Sequence, residues 1–440
     1  MEMSEENLFP SKANADDDSH NDQETEKEIL ESIAQEDENL ASNDLNHSRK
    51  KALLEFRCRV EDAILSNYLL GKSHGKSFSR GNYRAKENLR DITLWGIPLL
   101  PSNGHEGTDV VLMKFLKAKD FKVSDAFHML RKTLEWRMEI NAEGIHEENF
   151  GPDLENMGYI NGVDKRGRPV GYNVYWSIND KEVIKKRFER KEKSKEYLKW
   201  KVQFMENGIQ KLSFKPGGVD SMIQITDLKN TPGPGPAMRE ILCVSKKTML
   251  LLHENYPGLV FRNIIVNVPL WFLAFHVLHS MFINQRNKSK FIFARPSKVI
   301  ETLLKYISPE NIPVQYGGLK IENDVDFSPD DKVLEFNVKG GGIENIQIPM
   351  AEVGVTVVWD VTVVGYEVSY KDEFVPDDDC SYKILLHNEK KMGETVRNSF
   401  HIREPGKIVI TIVNRTFKKK RVFMRYKSKP TVPLYNFSSR

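Results

Sequence analysis

The alternation of short apolar segments with longer helical patterns over residues 151–320 constrains the fold most. The predicted strands are Val170–Trp176, Ser221–Leu228, Ile264–Val268 and Phe291–Ala294. Helical patterns lie between and after them, at about Lys195–Leu212, from Pro236 to about Leu252, after Pro269 and over Lys298–Ile307. Parallel strands require crossover connections of this kind, and helices usually supply them. The pattern therefore predicts an α/β domain with a largely parallel sheet.

The regions on either side have other periodicities. Arg49–Leu70, Asp109–Lys119 and Ser124–Ile140 are predicted to be helices, with Ser124 as an N-cap and a polar linker at Gly71–Asn88. From about Asp330, roughly eight segments place apolar residues at every second position, which is typical of strands in a β-sandwich or jelly roll. We therefore expect a helical module at 48–150, the α/β domain at 151–320 and a jelly-roll-like all-β domain at 325–430.

Charge is distributed unevenly along the chain. Residues 1–47 hold 15 Asp or Glu and two lysines, with Phe9 as their single aromatic residue. Such a segment cannot bury enough apolar surface to fold, so we expect a disordered acidic tail. The other residues hold 63 basic and 47 acidic side chains, a balance of +16. A basic body suits an anionic partner, either lipid headgroups or nucleic acid.

One apolar stretch, Ile264–Phe282, approaches the length of a membrane span. Pro269 divides it, and polar residues such as Asn267 and His276 interrupt it. We expect a buried strand followed by a helix that starts at Pro269, where the missing N–H costs little. The three cysteines are too few and too widely spaced for a disulfide framework, which predicts a reducing compartment.

Enzyme motifs in the sequence are incomplete. Gly71–Gly75 matches the Gly-x-Ser-x-Gly pattern, but it lies in the polar linker and not between a strand and a helix. His253 and Glu254 begin a zinc-protease pattern that lacks its second histidine. His276 and His279 are better explained as core or pocket-lining residues than as metal ligands. We predict no enzyme activity, no catalytic residue, no metal site and no covalently bound cofactor.

Seven segments of the chain resemble the CRAL-TRIO lipid-transfer family in order and spacing. They are FLKAKDFKVSDAFHMLRKTLEWR (115–137), GVDKRGRPV (162–170), ITDLKN (225–230), ENYPG (254–258), IIVNVP (264–269), KSKFIF (288–293) and ENIPVQYGG (310–318). Two later segments, WDVTVVGYEVSYKDEFVP (359–376) and KIVITIVNRTFKKKRVFMRYKSK (407–429), resemble a GOLD domain. The order of these parts, an acidic tail followed by a CRAL-TRIO domain and a GOLD domain, resembles that of the plant patellins. The resemblance covers about residues 50–430.

This resemblance implies a pocket for one lipid, closed by a gating helix at Leu270–Ile283. The pocket and gate residues that it implies are Met222, Gln224, Leu270, Leu273, Phe275 and Phe282. The gate segment is apolar on nearly every side, so a helix buried in the core is the alternative interpretation.

The resemblance also implies residues that bind the lipid headgroup. The basic residue of the family's first conserved helix corresponds to Lys119, and the lysine before the last strand corresponds to Lys290. Lys288 lies nearby, and Asn287 occupies a position that has a hydroxyl residue in the family, although an amide can also donate to phosphate.

Three further positions depart from the family pattern. The acidic residue that follows Tyr-Pro is Gly258 here, which weakens recognition of the inositol hydroxyls. The Ser and Thr that serve phosphatidylcholine correspond to Met222 and Gln224. The sequence therefore favours phosphate recognition over phosphatidylcholine exchange.

A basic run, Lys418, Lys419, Lys420 and Arg421, is expected at a strand turn of the GOLD domain. Each such residue near an anionic bilayer contributes about 1 kcal/mol of binding free energy. We expect the run to contact a membrane surface, with a solvated loop as the alternative.

These expectations combine into one functional hypothesis. We expect a phosphoinositide-binding carrier or lipid-presenting protein that works from the cytoplasm, peripherally on membranes, in vesicle trafficking or cell-plate formation during cytokinesis. The cell plate and the plasma membrane are the expected sites, the bound phospholipid is a phosphoinositide, and the GOLD domain offers a surface for a protein partner. The alternatives are a GOLD-mediated trafficking adaptor whose lipid pocket is structural or sensory, and an enzyme acting on the bound lipid. Nucleic-acid binding lacks a recognisable motif.

Overall fold

The computed structural model describes residues 43–70, 89–174, 191–231, 233–272 and 289–430. Its amino-terminal part contains three helices, α1 (Asn43–Leu65), α2 (Glu106–Ala118) and α3 (Val123–Glu139), and a short hairpin of β1 (Thr93–Leu94) and β2 (Ile97–Pro98). Apolar side chains of the three helices, such as Val60, Leu112 and Leu130, meet in one buried core. The predicted helical module is confirmed, and α1 begins inside the segment assigned to the acidic tail.

The predicted N-cap of α3 is wrong. The helix begins at Val123, and its N-cap is Lys122, which makes no side-chain capping hydrogen bond. Ser124 lies inside the first turn, where its Oγ accepts a hydrogen bond from Arg59 Nη1 at 3.0 Å. The hydroxyl therefore links α3 to α1, a tertiary contact that competes with capping.

The α/β domain is built on a five-stranded sheet. Its strands are β3 (Gly158–Val163), β4 (Pro169–Asn173), β5 (Met222–Asp227), β6 (Val260–Val266) and β7 (Phe291–Phe293), in the order β3-β4-β5-β6-β7. The neighbours from β4 to β7 are parallel, as predicted, and β3 pairs antiparallel with β4 at the edge.

The two faces of this sheet are covered by different helices. The described helices of the domain are α4 (Pro152–Glu155), α5 (Lys191–Ile209), α6 (Pro236–Asn255) and α7 (Val299–Tyr306). Side chains alternate between the faces of a strand. Met222 accordingly joins a core with residues of α5 and α6, and Ile223 joins a core with residues of α7. We name these the front face and the back face.

The expected strand and proline-initiated helix at 264–282 are confirmed up to Phe272. Strand β6 ends at Val266, and helical residues begin at Leu270, with the Phe272 N–H donating to the Pro269 carbonyl at 3.0 Å. Among the residues that the structure describes, no helix is long and apolar enough to cross a membrane.

The carboxyl-terminal domain contains eight described strands in two four-stranded antiparallel sheets. The strands are β8 (Leu334–Val338), β9 (Ile343–Met350), β10 (Val355–Val363), β11 (Ser369–Pro376), β12 (Ile384–Glu389), β13 (Val396–His401), β14 (Gly406–Val413) and β15 (Lys420–Pro430). The sheet orders are β13-β10-β15-β8 and β12-β11-β14-β9. Trp359, Tyr370 and Ile410 lie in the core between them. The predicted all-β domain is confirmed.

The β-sandwich packs on the back of the α/β domain. Val364 and Phe423 of the sandwich belong to the same apolar cluster as Leu304 of α7. Thr362 Oγ1 donates to the Gly317 carbonyl at 2.9 Å, which ties the sandwich to the segment after α7. Through these contacts the two domains share a core, and the front face of the sheet remains on the other side.

Candidate functional site

The front face of the sheet forms a floor of two cross-strand rows. The strand registers define the two rows. One row consists of Gly171, Gln224, Asn263 and Phe291, and the other consists of Asn173, Thr226, Ile265 and Phe293. The members on β4 are buried and those on β6 and β7 are only half-buried. The floor is therefore closed at the β4 side and more open at the β7 side, with amide and hydroxyl groups between apolar ones.

The predicted gating helix starts above the open side of this floor. Leu270 is 72% exposed. The ring of Phe272 lies 5.8 Å from that of Trp271 and 6.5 Å from that of Phe293 on β7. An exposed leucine beside two aromatic rings provides apolar surface at the edge of the floor. Leu273, Phe275 and Phe282 fall outside the described residues.

Met222 and Gln224 lie on the floor beneath α5. Met222 is fully buried, and its thioether lies so close to Gly208 that a side chain at that position would meet it. Gln224 Nε2 donates to the sulfur of Met205 at 2.8 Å. Both residues thus line the closed side of the floor in this conformation, where α5 covers them.

Two of the headgroup residues predicted from the sequence lie within the described residues, on different elements. Lys119 ends α2, where its N–H donates to the carbonyls of Phe115 and Leu116. Lys290 directly precedes β7, and its carbonyl accepts from the Asn263 N–H at 2.8 Å. Both side chains are half-buried. Asn287 and Lys288 lie outside the described residues.

A buried lysine that sequence reasoning missed lies close to Lys290. Lys114 Nζ of α2 donates to Asp220 Oδ2 at 2.9 Å and to the Gly258 carbonyl at 3.0 Å. Burial lowers the pKa of Lys114, Asp220 opposes this effect, and the positive charges of Lys117 and Lys290 add to it. The amino-terminal edge therefore gathers Lys114 and Lys117 near the carboxylate of Asp220, with the positive charge of Lys290 near Lys114, an arrangement that suits a phosphate group.

Gly258 contributes its backbone to this cluster. Its φ of +65° lies in the left-handed region, which glycine adopts without a Cβ penalty. Where the family pattern has an acidic side chain, this chain directs a carbonyl at Lys114. The local negative charge is therefore smaller than an acidic residue would give.

A second buried lysine lies near the carboxyl-terminal edge of the sheet. Lys201 of α5 is 1% exposed, and its Nζ donates to Asn173 Oδ1 at 2.6 Å. The same Nζ lies 4.1 Å from the centre of the Phe204 ring. Burial lowers the pKa of Lys201 to about 7. Among the residues that the structure describes, the Nζ thus has one amide partner and two aromatic rings beside it.

The sequence carries a weak signal for both missed lysines. Lys114 follows Val111 by three positions on α2, and Lys201 lies midway between the buried Tyr197 and Met205 on α5. Positions three and four apart share one face of a helix, so both lysines lie on apolar stripes. A lysine that interrupts such a stripe is a candidate for a buried functional cation.

The basic run of the GOLD domain divides into two pairs. Lys418 and Lys419 are exposed in the connection between β14 and β15. Lys420 is half-buried with Nζ 3.6 Å from Glu367, and Arg421 Nε donates to Glu335 at 2.8 Å. The first pair is therefore available to an anionic surface, whereas the second already has carboxylate partners.

An aromatic side chain stands at the tip of the same connection. Phe417 is fully exposed beside Lys418 and Lys419. The side-chain amide of Asn414 donates to the carbonyls of Lys418 and Lys339, at 2.8 and 3.0 Å, and so shapes the loop. An exposed ring beside two lysines on a braced loop is suited to a bilayer surface, because apolar and charged groups both find partners there.

Within the described residues, no group of three or more His, Cys, Asp or Glu side chains could hold a metal ion. The site consists of an apolar floor with polar groups and lysines at two edges. Such an arrangement can bind an amphiphilic molecule.

Three family models match the chain. They are the CRAL/TRIO N-terminal domain over residues 52–132, the CRAL/TRIO domain over residues 155–318 and the Patellin-1-like C-terminal GOLD domain over residues 339–420. The matches follow the three parts that the structure separates.

Individual relatives match at high identity. Patellin-4 of Arabidopsis thaliana is 49% identical over 343 residues, which are 77% of this chain and 62% of that protein. Patellin-6 of the same plant is 44% identical over 335 residues, or 75% of this chain and 80% of that protein. The phosphatidylinositol transfer protein SFH5 of Cryptococcus neoformans var. neoformans serotype D is 29% identical over 250 residues, covering 51% of this chain and 79% of that protein. The chain thus spans less than two thirds of the length of Patellin-4.

Proposed function

This chain belongs to the patellin family, and from that membership we propose that it binds a phosphoinositide and carries or presents it at membrane surfaces. We further propose that it acts peripherally, from the cytoplasm, in vesicle trafficking or in cell-plate formation. The relative that is named a phosphatidylinositol transfer protein supports the choice of an inositol lipid. No enzymatic step is part of this proposal.

The observation that carries the proposal is the polarity of the front face. Its floor is apolar at Ile265, Phe291 and Phe293, which suits acyl chains, and half-exposed on that side. Lys114, Lys117 and Lys290 gather at the amino-terminal edge of the same sheet. An apolar floor with positive charge at one edge matches an amphiphile with a phosphorylated head.

Exchange of the lipid with a bilayer depends on two free-energy contributions, burial of the acyl chains and contacts to the headgroup. Each buried methylene contributes about 0.8 kcal/mol, but the pocket and the membrane offer nearly equal apolar surroundings. The chain contribution therefore largely cancels when a lipid moves between them. Lipid selection then depends on headgroup contacts, each of about 1.5–3 kcal/mol where a charge takes part.

The loop at Phe417 supplies a means of attachment. Lys418 and Lys419 would contribute about 1 kcal/mol each near an anionic bilayer. Insertion of the Phe417 ring would add the transfer of an aromatic side chain out of water, about 1.5–3 kcal/mol when complete. These terms together give reversible attachment, as a carrier requires.

The proposal is tested by the lipid content of the purified full chain. Native mass spectrometry and lipid extraction are expected to find about one phospholipid per chain, enriched in phosphoinositides. Transfer between donor and acceptor vesicles then separates a carrier from a lipid-presenting protein. A lipid-free preparation that also takes up no lipid from phosphoinositide vesicles would contradict the proposal.

An adaptor role is the second candidate, and strand β12 favours it. This strand lies at the edge of its sheet, and Ile384, Leu385 and the nearby Tyr382 are exposed. Exposed apolar groups on an open strand edge are suited to pairing with a partner's strand. A lipid-free protein of unchanged stability that still binds a trafficking protein through β12 would support this alternative.

A further inference from the structure

Lys201 is a buried lysine without a carboxylate partner among the residues that the structure describes. Its Nζ contacts Asn173 and the ring of Phe204, and the centre of the Trp200 ring lies 6.0 Å away. Glu206 is a buried carboxylate on the same helix, and it accepts from Arg137 Nη1 at 2.5 Å and from the Tyr256 hydroxyl at 2.6 Å. Glu206 is therefore already engaged with the amino-terminal module and with the residue that follows α6.

The surroundings of Lys201 leave its ammonium group able to bind an anion. An ammonium has three N–H donors, and Asn173 Oδ1 accepts one of them. The Asn173 amide is held in place because its Nδ2 donates to the Ile225 carbonyl at 3.2 Å. A buried charge is costly unless it is paired, and an apolar residue of similar length would fill this space at lower cost. A purely structural role therefore gives no reason for a lysine here.

The position of Lys201 separates it from the cluster around Lys290. Asn173 is in register with Phe293, three residues beyond Lys290 along the strand direction and three strands away. Strand spacings of about 4.8 Å and a rise of about 3.3 Å per residue put the two positions roughly 17 Å apart on the sheet. The floor thus has one cationic group near its carboxyl-terminal edge and a cluster at its amino-terminal edge.

We propose that Lys201, positioned by Asn173, binds an oxyanion carried by the molecule in the pocket, either a phosphate ester or a free carboxylate. This inference rests on the proposed lipid-binding function and narrows its ligand class. A lipid whose only anionic group lies at the Lys290 edge leaves Lys201 facing hydrocarbon. The preferred ligand therefore places an anionic group under α5, beside Asn173.

The experiment compares three probes that share oleoyl chains. Lipid-free full-length protein is incubated with vesicles that contain dioleoyl phosphatidic acid, oleic acid or dioleoylglycerol, and the bound lipid is extracted and counted. The variants are Lys201→Met, which removes the charge, and Lys201→Arg, which keeps it. Lys199→Met is the matched control, because Lys199 lies on the same helix but is exposed and pairs with Glu148.

The expected result is a selective loss. Lys201→Met should load phosphatidic acid or oleic acid about tenfold to hundredfold less than wild type, with dioleoylglycerol unchanged. Lys201→Arg and Lys199→Met should behave like wild type. A loss with phosphatidic acid identifies a phosphate as the ligand group, and a loss with oleic acid identifies a carboxylate.

Other outcomes overturn the inference in separate ways. Equal loading by wild type and a folded Lys201→Met variant means that Lys201 binds no ligand group, although the protein still binds lipid. Equal loss of all three probes means that Lys201 acts on pocket shape and not by charge. Wild-type protein that loads none of the three probes but takes up phosphoinositide from vesicles overturns this inference alone. Failure to take up phosphoinositide as well refutes the proposed lipid binding itself. If Lys201→Met does not fold, Lys201→Arg decides in its place, since loss of the anionic probes from this folded, charged variant would also overturn the inference.

Discussion

Arg425 of β15 and Asp360 of β10 face each other in register across two neighbouring strands, with Arg425 Nε donating to Asp360 Oδ2 at 2.7 Å. The two side chains are 2% and 1% exposed. Arg397 binds the same carboxylate from the other side, and both arginines also reach Asp324 in the segment that joins the domains. The pair thus fixes the joining segment to the sandwich.

Replacement of Arg425 by Met should destabilise the protein strongly. The change leaves Asp360 with one cation and removes the donor to the Leu319 carbonyl at 2.6 Å. Removing one member of a buried ion pair costs about 3–5 kcal/mol, and Arg397 should keep the loss near the lower end. Arg421→Met on the same strand is the control, because its half-exposed pair with Glu335 should contribute less than about 1 kcal/mol. Urea denaturation measures the free energy of unfolding of both variants. Equal losses of stability would contradict the role of the buried Arg425–Asp360 pair.

The stability of the lipid-free protein should rise with pH because of Lys201. Burial lowers the pKa of Lys201 from 10.5 to about 7, so between these values the unfolded chain binds a proton that the folded chain lacks. This contribution is complete above pH 10.5 and is lost as the pH falls through about 7. From pH 7 to 9 wild type should gain about 2 kcal/mol relative to Lys201→Met. Urea denaturation at both pH values measures this gain in stability, and the Lys199→Met variant should show the same gain as wild type. Parallel pH profiles of stability for wild type and Lys201→Met would refute the prediction.

Membrane attachment should depend on Phe417, Lys418 and Lys419. Phe417→Ser should weaken binding to phosphatidylserine vesicles by up to about 1.5–3 kcal/mol at all salt concentrations. Lys418→Ala with Lys419→Ala should cost about 2 kcal/mol at low salt and flatten the salt dependence. Replacing Arg421 by Ala should matter less, because its guanidinium is paired with Glu335. Vesicle sedimentation measures these changes, and unaltered binding by both the Phe417 and the lysine variants would exclude this loop.

Lys290 should provide headgroup discrimination and not general attraction. Lys290→Ala is expected to reduce the preference for phosphorylated over unphosphorylated inositol lipids by one to two powers of ten, since a charge-assisted contact is worth about 1.5–3 kcal/mol. Lys305→Ala serves as the control, because this exposed lysine lies on α7 at the back face. The measurement is sedimentation with vesicles of matched surface charge. A uniform loss of affinity for all anionic lipids would make Lys290 only a part of the basic surface.

The sequence predicted the elements that have a regular apolar period. The strands β4 to β7 and the eight sandwich strands were expected because their apolar residues repeat in the short-range pattern that burial requires. Strand β3 was missed, because its residues are nearly all half-buried and show no alternation. The prediction of an N-cap at Ser124 was wrong because its hydroxyl binds Arg59, a residue distant in sequence.

The site was predicted less completely than the fold. Lys290 could be selected from its family position, but the approach of Lys114 to it depends on how α2 meets the loop at Gly258. Lys201 and Asn173 are 28 positions apart and meet only when α5 lies across β4. Such pairs follow from tertiary packing, which local periodicity does not encode.

The shared core between the two domains has a consequence for how the molecule can be divided. Val364 and Phe423 are buried against Leu304, so cutting the chain between the domains would open apolar surface on both fragments. The hydroxyl of Thr362 would lose its acceptor at Gly317 in the same cut. Neither domain should therefore be expressed alone in a stable form. Calorimetry of the intact chain should record one melting transition for both domains and not two.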